Sequence, residues 1–382
     1  MTGQFQLTED QLAIQDMAQR FTADNITPHA GEWDQTSHFP IDVIKQTAEL
    51  GFGAIYVSEE SGGIGLGRLE AALIMEAMAY GCPTTSAFIS IHNMASWMID
   101  SFGSQDVKDR YLPDLVSMDK IASYCLTEPG SGSDAAALKT KCDRTNDGYT
   151  LNGTKAFISG GGYSDAYVAM VRTSDDGAAG VSTVYVEDGT QGLSFGGLED
   201  KMGWRSQPTA QVQFDNCKIP AGNLVGEEGK GFKYAMTGLD GGRLNIAACS
   251  LGAAQTALDA TLRYMGERKA FGKPIDQFQG LQFRLADMEI EMQAARVFLR
   301  QAAWKLDSGA PDATKFCAMA KKFVTDTGSR VVDQCLQLHG GYGYLADYGI
   351  EKLVRDLRVH QILEGTNEIM RVIVARDMLK NR

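Results

Sequence analysis

The sequence has few of the residues that build metal centres and disulfide frameworks. Its 382 residues include five scattered histidines and seven cysteines. No CxxC pair and no HExxH motif occurs, so we predict no metal site. The cysteine number is odd, which favours a reducing compartment over an oxidising one.

The chain also lacks an excess of positive charge and any long apolar run. Its formal net charge is -12, whereas a general nucleic-acid binder needs a basic face. A small anionic ligand held by a few arginines is still compatible with this charge. No apolar run approaches the roughly 20 residues of a membrane span, and the N-terminus has no basic segment followed by an apolar one. We therefore predict a cytoplasmic protein that binds no nucleic acid and spans no membrane.

Three common nucleotide and hydrolase motifs are missing. No GxGxxG follows a predicted strand, no GxxxxGK[ST] occurs, and no GxSxG occurs. These absences count against a Rossmann nicotinamide site, a P-loop and a serine hydrolase.

What the sequence does contain is a change of hydrophobic period along the chain. A capping box at Thr8 begins a helical first third, in which Pro40 starts a second helix and Gly51 ends it. From residue 122 the period is two, with turns predicted at 146–148 and 152–153. After residue 231 long helical periods return. The predicted strands are 122–127, 149–159, 166–172, 182–187, 193–196 and 209–214, and the predicted long helices are 232–268, 279–308 and 312–338.

This order predicts an α+β protein of several domains. We place an N-terminal helical domain at 1–120, a central antiparallel β domain at 121–228, and a C-terminal helical bundle at 229–382. The sequence has no internal repeat and no low-complexity segment.

Three stretches rich in glycine and small residues are candidates for ligand contact. The stretch CLTEPGSGSD (125–134) lets the backbone approach a flat or anionic ligand closely, but taken alone it favours the alternative of a mobile Gly/Ser loop. In KAFISGGG (155–162), Phe157 and Ser159 point to one face of a strand, and the alternative is a core Phe beside an exposed Ser. In QLHGG (337–341), the alternative is a glycine cap that ends a helix.

The stretch QILEGTNEIM (361–370) contains a glutamate in unusual surroundings. Glu364 lies between the apolar pair Ile362 and Leu363 and the turn residue Gly365. A solvated glutamate needs no such setting, whereas a glutamate with an altered proton affinity does.

Together these stretches resemble the acyl-CoA dehydrogenase family, over residues 7 to about 378. CLTEPGSGSD is similar to one family signature, and QLHGGYGY followed by RDLRVHQILEGTNEIMR is similar to another. The stretches 154–160, 206–209 and 238–243 resemble the branch that acts on short branched acyl groups, which also has Phe where Phe157 stands and many relatives have Trp. The resemblance implies that the bundle has four helices and that FAD lies between it and the β domain.

The resemblance also implies site residues. Arg268, Phe278, Gln279 and the 337–341 turn would reach the FAD of a neighbouring subunit in a homotetramer. The expected cofactor-binding residues are Tyr124, Cys125, Leu126, Thr127, Gly132, Ser133, Phe157, Ile158, Ser159, Arg268, Phe278, Gln279, Gln337, Leu338, His339, Gly340, Gly341, Thr366, Asn367 and Glu368. The expected acyl-CoA-binding residues are Ser133, Asp240, Gly241, Gly242, Arg243 and Arg376.

Glu364 takes the position of the family's catalytic base. It would remove the α proton of an acyl-CoA thioester while the β hydrogen leaves as hydride to FAD, and the electrons would pass to an electron-transfer flavoprotein. The ordinary pKa of a glutamate is about 4.3, and burial would raise it toward the working pH. Some relatives place the base just before the arginine that corresponds to Arg243. Here that position is Gly242, so Glu364 has no rival.

The resemblance leaves the exact substrate open among isobutyryl-CoA, 2-methylbutyryl-CoA and butyryl-CoA, because one methylene discriminates by only about 1–3 kcal/mol. Gly241 and Gly242 are expected to leave room for an α-methyl group. Two alternative functions are an acyl-CoA oxidase or flavin monooxygenase on the same fold, and a non-catalytic DNA-associated relative. The acidic charge counts against the second.

Overall fold

A computed structural model describes residues 6–380, and its first part is helical. The predicted capping box is confirmed, because the Gln11 amide donates to the Thr8 hydroxyl and the Thr8 amide donates to the Gln11 side chain. Pro40 caps the third helix, whose 3-10 extension stops at the left-handed Gly51. The helices are α1 (Glu9–Asn25), α2 (Ala30–Thr36), α3 (Ile41–Gln46), α4 (Arg68–Gly81), α5 (Pro83–Phe102) and α6 (Gln105–Val116).

The central part is a seven-stranded sheet. Its strands are β1 (Ala122–Cys125), β2 (Lys141–Arg144), β3 (Gly148–Ser159), β4 (Ala166–Arg172), β5 (Val181–Glu187), β6 (Leu193–Phe195) and β7 (Thr209–Pro220). They are ordered β1-β4-β2-β3-β7-β6, with β5 also paired to β4. Most pairs are antiparallel as predicted, but β1 and β4 run parallel, as do β2 and β4 at one residue pair. The sheet is therefore mixed.

Two local predictions in this sheet need correction. β2 was not predicted, because only Cys142 of its four residues is buried and three are exposed. Asn152 and Gly153 do not form a turn between strands. They lie inside β3 at a break in its register with β7, where Gly153 has a φ of 152°. The turn at 146–148 does occur, and it joins β2 to β3.

The last part is a helical bundle. A small hairpin, β8 (Lys269–Ala270) and β9 (Lys273–Pro274), follows its first helix. The helices are α7 (Gly231–Glu267), α8 (Gln279–Asp307), α9 (Ala313–His339), α10 (Ile350–Arg358) and α11 (Asn367–Lys380). The long helices α7, α8, α9 and α11 form the bundle, in which α9 packs against the other three.

Helix α7 joins the three parts. One apolar core continues from α1 and α4 through α7 into α8 and α9, and a second connects α5 and α6 with β1, β4 and the start of α7. The start of α7 therefore meets the β sheet, and Gly242 and Arg243 just beyond it contact the turn before α11. Between residues 6 and 380, no helix is long and apolar enough to span a membrane. The same residues contain no cluster of three or more acidic, histidine or cysteine side chains that could hold a metal ion.

Candidate active site

The carboxylate of Glu364 lies at a tight turn between α10 and α11. Glu364 and Gly365 both have a left-handed backbone, with φ values of 54° and 85°. This conformation costs a non-glycine residue about 1–2 kcal/mol, so other contacts must hold the turn. Glu364 is partly exposed as a residue, but among the described residues its Oε2 atom is buried and has no hydrogen-bond partner. The turn thus presents one unpaired carboxylate oxygen inside the protein.

Two helices contact this turn. On α7, a Cβ added to Gly242 would lie 2.6 Å from Oε2 of Glu364. The next residue, Arg243, donates from Nε to the Glu364 carbonyl oxygen at 3.4 Å. On α9, Nζ of Lys321 donates to the Gly365 carbonyl oxygen at 2.8 Å. The turn is therefore held between a glycine backbone and two cations.

These surroundings set the proton affinity of the carboxylate. Burial raises the pKa of Glu364 to about 7, while the positive charges of Arg243 and Lys321 act in the opposite direction. Across the site, burial and secondly the Glu364 charge raise the pKa of Tyr124 on β1. The Tyr124 hydroxyl is buried and lacks a partner in the described part of the chain. A base whose pKa is near neutrality thus lies opposite an unsatisfied hydroxyl.

Gly241 does not border the same space as Gly242. A Cβ at Gly241 would overlap a guanidinium nitrogen of Arg68. That guanidinium lies over the ring of Tyr56, 3.6 Å from its centroid, and 4.9 Å from the centroid of Trp97. Because protein fills the room beside Gly241, the prediction that it accommodates a substrate methyl group is wrong.

The predicted acyl-CoA-binding pair on α7 is buried. Arg243 and Asp240 form an ion pair of 2.6 Å, one helical turn apart. Thr314 on α9 donates to the other carboxylate oxygen of Asp240, also at 2.6 Å. This pair is fixed before any ligand arrives, and its role in binding the thioester remains a prediction.

The two remaining predicted substrate residues are exposed. Ser133 is in the loop after β1, and Arg376 is on the last helix, α11. The residue after Arg376, Asp377, pairs with Lys315 on α9 at 2.6 Å. Because Lys315 follows Thr314, the structure brings Arg376 to the same end of the bundle as Asp240.

A buried ion pair between the loop 125–134 and strand β3 holds the loop in place. Nζ of Lys155 lies 2.8 Å from Oε1 of Glu128 and donates to the Leu126 carbonyl oxygen at 3.2 Å. Gly132 is exposed, and an added Cβ there would have no neighbour within 4 Å. The side chain of Cys125 is fully buried in the sheet core. Leu126 is buried too, so these two residues can offer a cofactor only their backbone.

The end of β3 presents an aromatic ring to the outside. Phe157 has a left-handed φ of 56° at a register break in β3, and its residue is 67% exposed. Ile158 points into the sheet core instead. Ser123 donates to the Ser159 carbonyl oxygen at 2.5 Å, which fixes the backbone there. An exposed ring on a strained, fixed backbone is the arrangement that covers a flat ligand.

These features fit a flavin. The loop at Gly132 is open, the ring of Phe157 is exposed, and the buried Tyr124 hydroxyl has no partner among residues 6–380. The charge of Glu364 is near enough to Tyr124 to raise its pKa. FAD bound there would contact the ring of Phe157, backbone N–H donors of the 125–134 loop and the hydroxyl of Tyr124. The chemistry it would supply is acceptance of a hydride.

A second group of predicted cofactor residues lies elsewhere. The guanidinium of Arg268 is over the Tyr342 ring, and Gly340 and Gly341 are open to solvent. Gln337 follows Lys321 on α9 by sixteen residues, or about 24 Å along the helix axis. Arg268, Gln279 and Gln337 are exposed, Phe278 is partly buried, and Leu338 and His339 are buried within this chain. This group is too far along α9 to meet the reacting end of a cofactor at Glu364 in the same chain.

The residues after the turn have different surroundings. Asn367 is buried, and its amide bonds with Lys321, Thr325 and Asp326. Its side chain is therefore not available to a cofactor. Glu368 is exposed and pairs with Arg371 at 2.9 Å, and Thr366 is partly exposed. Thr127, at the edge of the β1 loop, is also partly exposed.

Sequence reasoning missed the cations that hold the site. Lys321 and Lys155 are fully buried, although lysine rarely is. The hydrophobic period could have indicated both. Lys321 is four residues after Cys317 on the buried face of α9, and Lys155 is four residues after the buried Leu151 on β3. Arg68 gave no comparable signal at the start of α4.

The domain models of one family match almost all of this architecture. They are the N-terminal domain of acyl-CoA dehydrogenase at residues 8–119, the middle domain at 123–217 and the C-terminal domain at 229–379. The chain therefore belongs to the acyl-CoA dehydrogenase family, and it is an FAD-dependent oxidoreductase. The resemblance predicted from the two signatures is confirmed.

Particular relatives narrow the comparison. The chain is 52% identical over 374 residues to the mitochondrial isobutyryl-CoA dehydrogenase of Bos taurus, covering 98% of this chain and 90% of that protein. Butyryl-CoA dehydrogenase from Megasphaera elsdenii superposes with a TM-score of 0.95 at 36% identity, covering 98% and 99% of the two chains. A chain from a structure described as the electron transferring flavoprotein of Acidaminococcus fermentans has a TM-score of 0.96 at 39% identity, covering 98% and 99%.

Proposed function

We propose that this acyl-CoA dehydrogenase oxidises short, branched acyl-CoA thioesters, with isobutyryl-CoA converted to methacrylyl-CoA. The observation that carries the proposal is the buried carboxylate oxygen of Glu364, which lies against the bare backbone of Gly242 and has no hydrogen-bond partner among residues 6–380. The 52% identity with an isobutyryl-CoA dehydrogenase supports this substrate.

The side chains divide the work of this reaction. Glu364 takes the α proton, and its burial keeps water from competing for that proton. FAD held beside the β domain would supply acceptance of the β hydrogen as hydride. The Glu364 amide donates to the thioester oxygen, and the Arg243 charge opposes protonation of the base before substrate binds.

The packing of α5 on α7 supports a short acyl group. Added Cβ atoms at Gly238 and Gly242 would lie 3.6 Å and 3.3 Å from sulfur or carbon atoms of Met94. Deeper on α7, Asn245 donates to the Tyr56 hydroxyl at 3.3 Å and to the Ser90 hydroxyl at 3.0 Å. Met94 and this buried polar network leave little depth for a long chain.

We therefore expect kcat/KM for isobutyryl-CoA to exceed that for octanoyl-CoA by at least about tenfold, since each methylene in an apolar pocket counts for about 1–3 kcal/mol. The measurement is a panel of isobutyryl-, 2-methylbutyryl-, butyryl- and octanoyl-CoA with an artificial electron acceptor. Preference for octanoyl-CoA would refute the chain-length proposal. If no thioester bleaches the flavin anaerobically, the proposed activity itself is refuted.

We also propose an electron-transfer flavoprotein as the electron acceptor. The similar chain from the Acidaminococcus fermentans structure supports this partner. The oxidase or monooxygenase alternative makes the opposite prediction, namely that oxygen reoxidises the reduced enzyme rapidly. Stopped-flow reoxidation by purified flavoprotein and by air-saturated buffer separates the two.

The proposed assembly is a homotetramer. On α8 the apolar residues Phe283, Ile290, Val297 and Trp304 repeat every seven residues and are all exposed. Such a stripe is typical of a helix that packs against another helix. At the tip of the β8–β9 hairpin, Phe271 is 96% exposed. Exposing these large apolar side chains to water is unfavourable. We therefore propose that a second copy of the chain covers them.

In this assembly Arg268 would contact FAD across a subunit boundary. Arg268→Ala is expected to reduce both the bound FAD and the fraction of tetramer, because a ligand that bridges subunits stabilises their association. Light scattering gives the mass, and the ratio of flavin to protein absorbance gives the occupancy. Arg144→Ala, which removes an exposed arginine from the β domain, is the control. Full FAD and unchanged mass in the Arg268 variant would contradict the bridging role.

A further inference from the structure

Helix α9 carries a lysine whose whole side chain is inside the protein. Lys321 is fully buried, and its face of the helix includes the buried Cys317 and Val324. Its Nζ donates to the Gly365 carbonyl oxygen at 2.8 Å and to Oδ1 of Asn367 at 2.9 Å. Burying an ammonium is unfavourable unless its N–H donors are hydrogen-bonded. The two acceptors of Lys321 belong to the turn that carries Glu364 and to Asn367 just after it.

The neighbouring residues of α9 hold the same segment at both ends. Asn367 donates to the Thr325 hydroxyl at 3.0 Å and to Oδ1 of Asp326 at 2.7 Å. Before the turn, Gln361 donates to the same Asp326 oxygen at 2.8 Å. Hydrogen bonds to α9 therefore hold Gln361 before the left-handed pair Glu364 and Gly365 and Asn367 after it, and Lys321 bonds to the pair itself.

We propose that Lys321 is a positioning residue that fixes the Glu364–Gly365 turn and places a positive charge beside the base. This inference rests on the proposed function of Glu364. It assigns Lys321 no contact with the reacting atoms. The ammonium replaces the hydrogen bonds that a left-handed turn does not make for itself, and it keeps the carboxylate directed at the substrate.

The charges around the base determine the direction of the pH effect. Burial raises the pKa of Glu364, and Arg243 from α7 and Lys321 from α9 oppose that rise. Tyr124 from β1 and Tyr56 from the loop before α4 also interact with the carboxylate. Burial raises the pKa of both tyrosines further above its ordinary value, so neither adds a charge near pH 7. The cation lost in a Lys321 variant is therefore one of two that hold the pKa of Glu364 down.

The lysine has its own charged neighbours. Burial lowers the pKa of Lys321 to about 7, the Glu364 carboxylate opposes this, and Arg243 adds to it. Asp326 on α9 and Glu368 on α11 favour the ammonium. Its two hydrogen bonds are to carbonyl oxygens, which accept from the charged form.

Lys321→Met is the test, because methionine fills a similar volume without charge or donors. We expect kcat to fall by about 10- to 100-fold from misplacement of the base. The acid limb of the kcat/KM profile should move to higher pH by about one unit, as the loss of a nearby opposite charge predicts. Lys321→Arg should return the limb toward its wild-type position. Lys315→Met removes a charge from an ion pair elsewhere on α9 and should leave the limb unchanged.

Three outcomes would overturn the inference. One is a Lys321→Met enzyme with wild-type kcat and an unmoved acid limb. Another is a limb that moves equally in Lys315→Met. The third is a variant that loses FAD and melts early, with Lys321→Arg failing to restore the limb, because that pattern belongs to a merely structural lysine. In a Glu364→Gln background, adding Lys321→Met should cost little further activity, since both act through one group. If wild-type enzyme reduces no flavin with any acyl-CoA, the proposed function fails instead.

Discussion

Glu364→Gln is expected to lower turnover by about 10²–10⁴-fold, the contribution of a positioned general base. The amide keeps the size of the carboxylate but cannot accept the α proton. FAD should stay bound, because the family resemblance places this side chain at the α carbon of the substrate and not on the cofactor. Anaerobic reduction of bound flavin by isobutyryl-CoA measures the effect, and flavin absorbance measures occupancy.

The control is Glu49→Gln, which changes an exposed glutamate in the first helical part. It should reduce flavin at the wild-type rate. Near-normal turnover in the Glu364 variant with bound FAD would show that Glu364 is not the base.

The structure suggests a sharper form of this test. A Cβ at Gly242 would lie 2.6 Å from the present position of Oε2 of Glu364, so a glutamate at 242 begins its side chain where the natural base ends. In Glu364→Gly, adding Gly242→Glu should restore part of the activity, though less than wild type because the surrounding contacts were not built for it. Gly242→Glu alone should be inactive, since the two carboxylates compete for one space. Equal activity of Glu364→Gly with and without Gly242→Glu would contradict this geometry.

Lys155→Met should lower the free energy of unfolding by about 3–5 kcal/mol, the usual cost of removing one partner from a buried ion pair. The variant leaves Glu128 buried with its charge unmatched. Glu128 also accepts from the amides of Lys139 and Thr140, at 2.6 Å and 2.9 Å, so the loop after β1 loses its fixed point. FAD retention should fall with it. Chemical denaturation and the flavin-to-protein ratio give the two readouts.

A paired substitution separates charge from packing. Lys155→Met with Glu128→Gln should recover most of the lost stability, because no buried charge is left alone. No recovery would mean that the lysine acts through its packing alone.

The deficit should also depend on pH. Burial would raise the pKa of Glu128, but Lys155 and the surrounding donors hold it below its ordinary value. In wild type, this depressed pKa contributes stability above about pH 4.3, and the contribution is lost as the pH falls further. In the variant the carboxyl is easily protonated at low pH, which relieves the unmatched charge. The difference between the two proteins should therefore narrow as the pH falls below about 4.3.

The sequence alone determined the order of helices, strands and helices, and most element ends to within a few residues. The predicted helix 279–308 is α8 (Gln279–Asp307), and the predicted strand 166–172 is β4 (Ala166–Arg172). These features follow from periods of 3.6 and 2 in apolar residues, which are local properties of the chain. The unusual setting of Glu364 was also visible in the sequence, because the carboxylate stands between apolar residues and a turn glycine, while its role as the base was predicted from the family resemblance.

Tertiary structure alone decided the rest, because each remaining feature depends on two distant segments meeting. The parallel pairing of β1 with β4 depends on strands about forty residues apart, and alternation within a strand does not specify its neighbour. Gly241 and Gly242 are indistinguishable in the sequence, yet in the fold Gly241 lies against Arg68 and Gly242 lies against Glu364. Lys321 reads as an ordinary helical lysine until folding places the Gly365 carbonyl 2.8 Å away. The free energy that keeps such a group buried comes from a partner elsewhere in the chain, and only the fold supplies it.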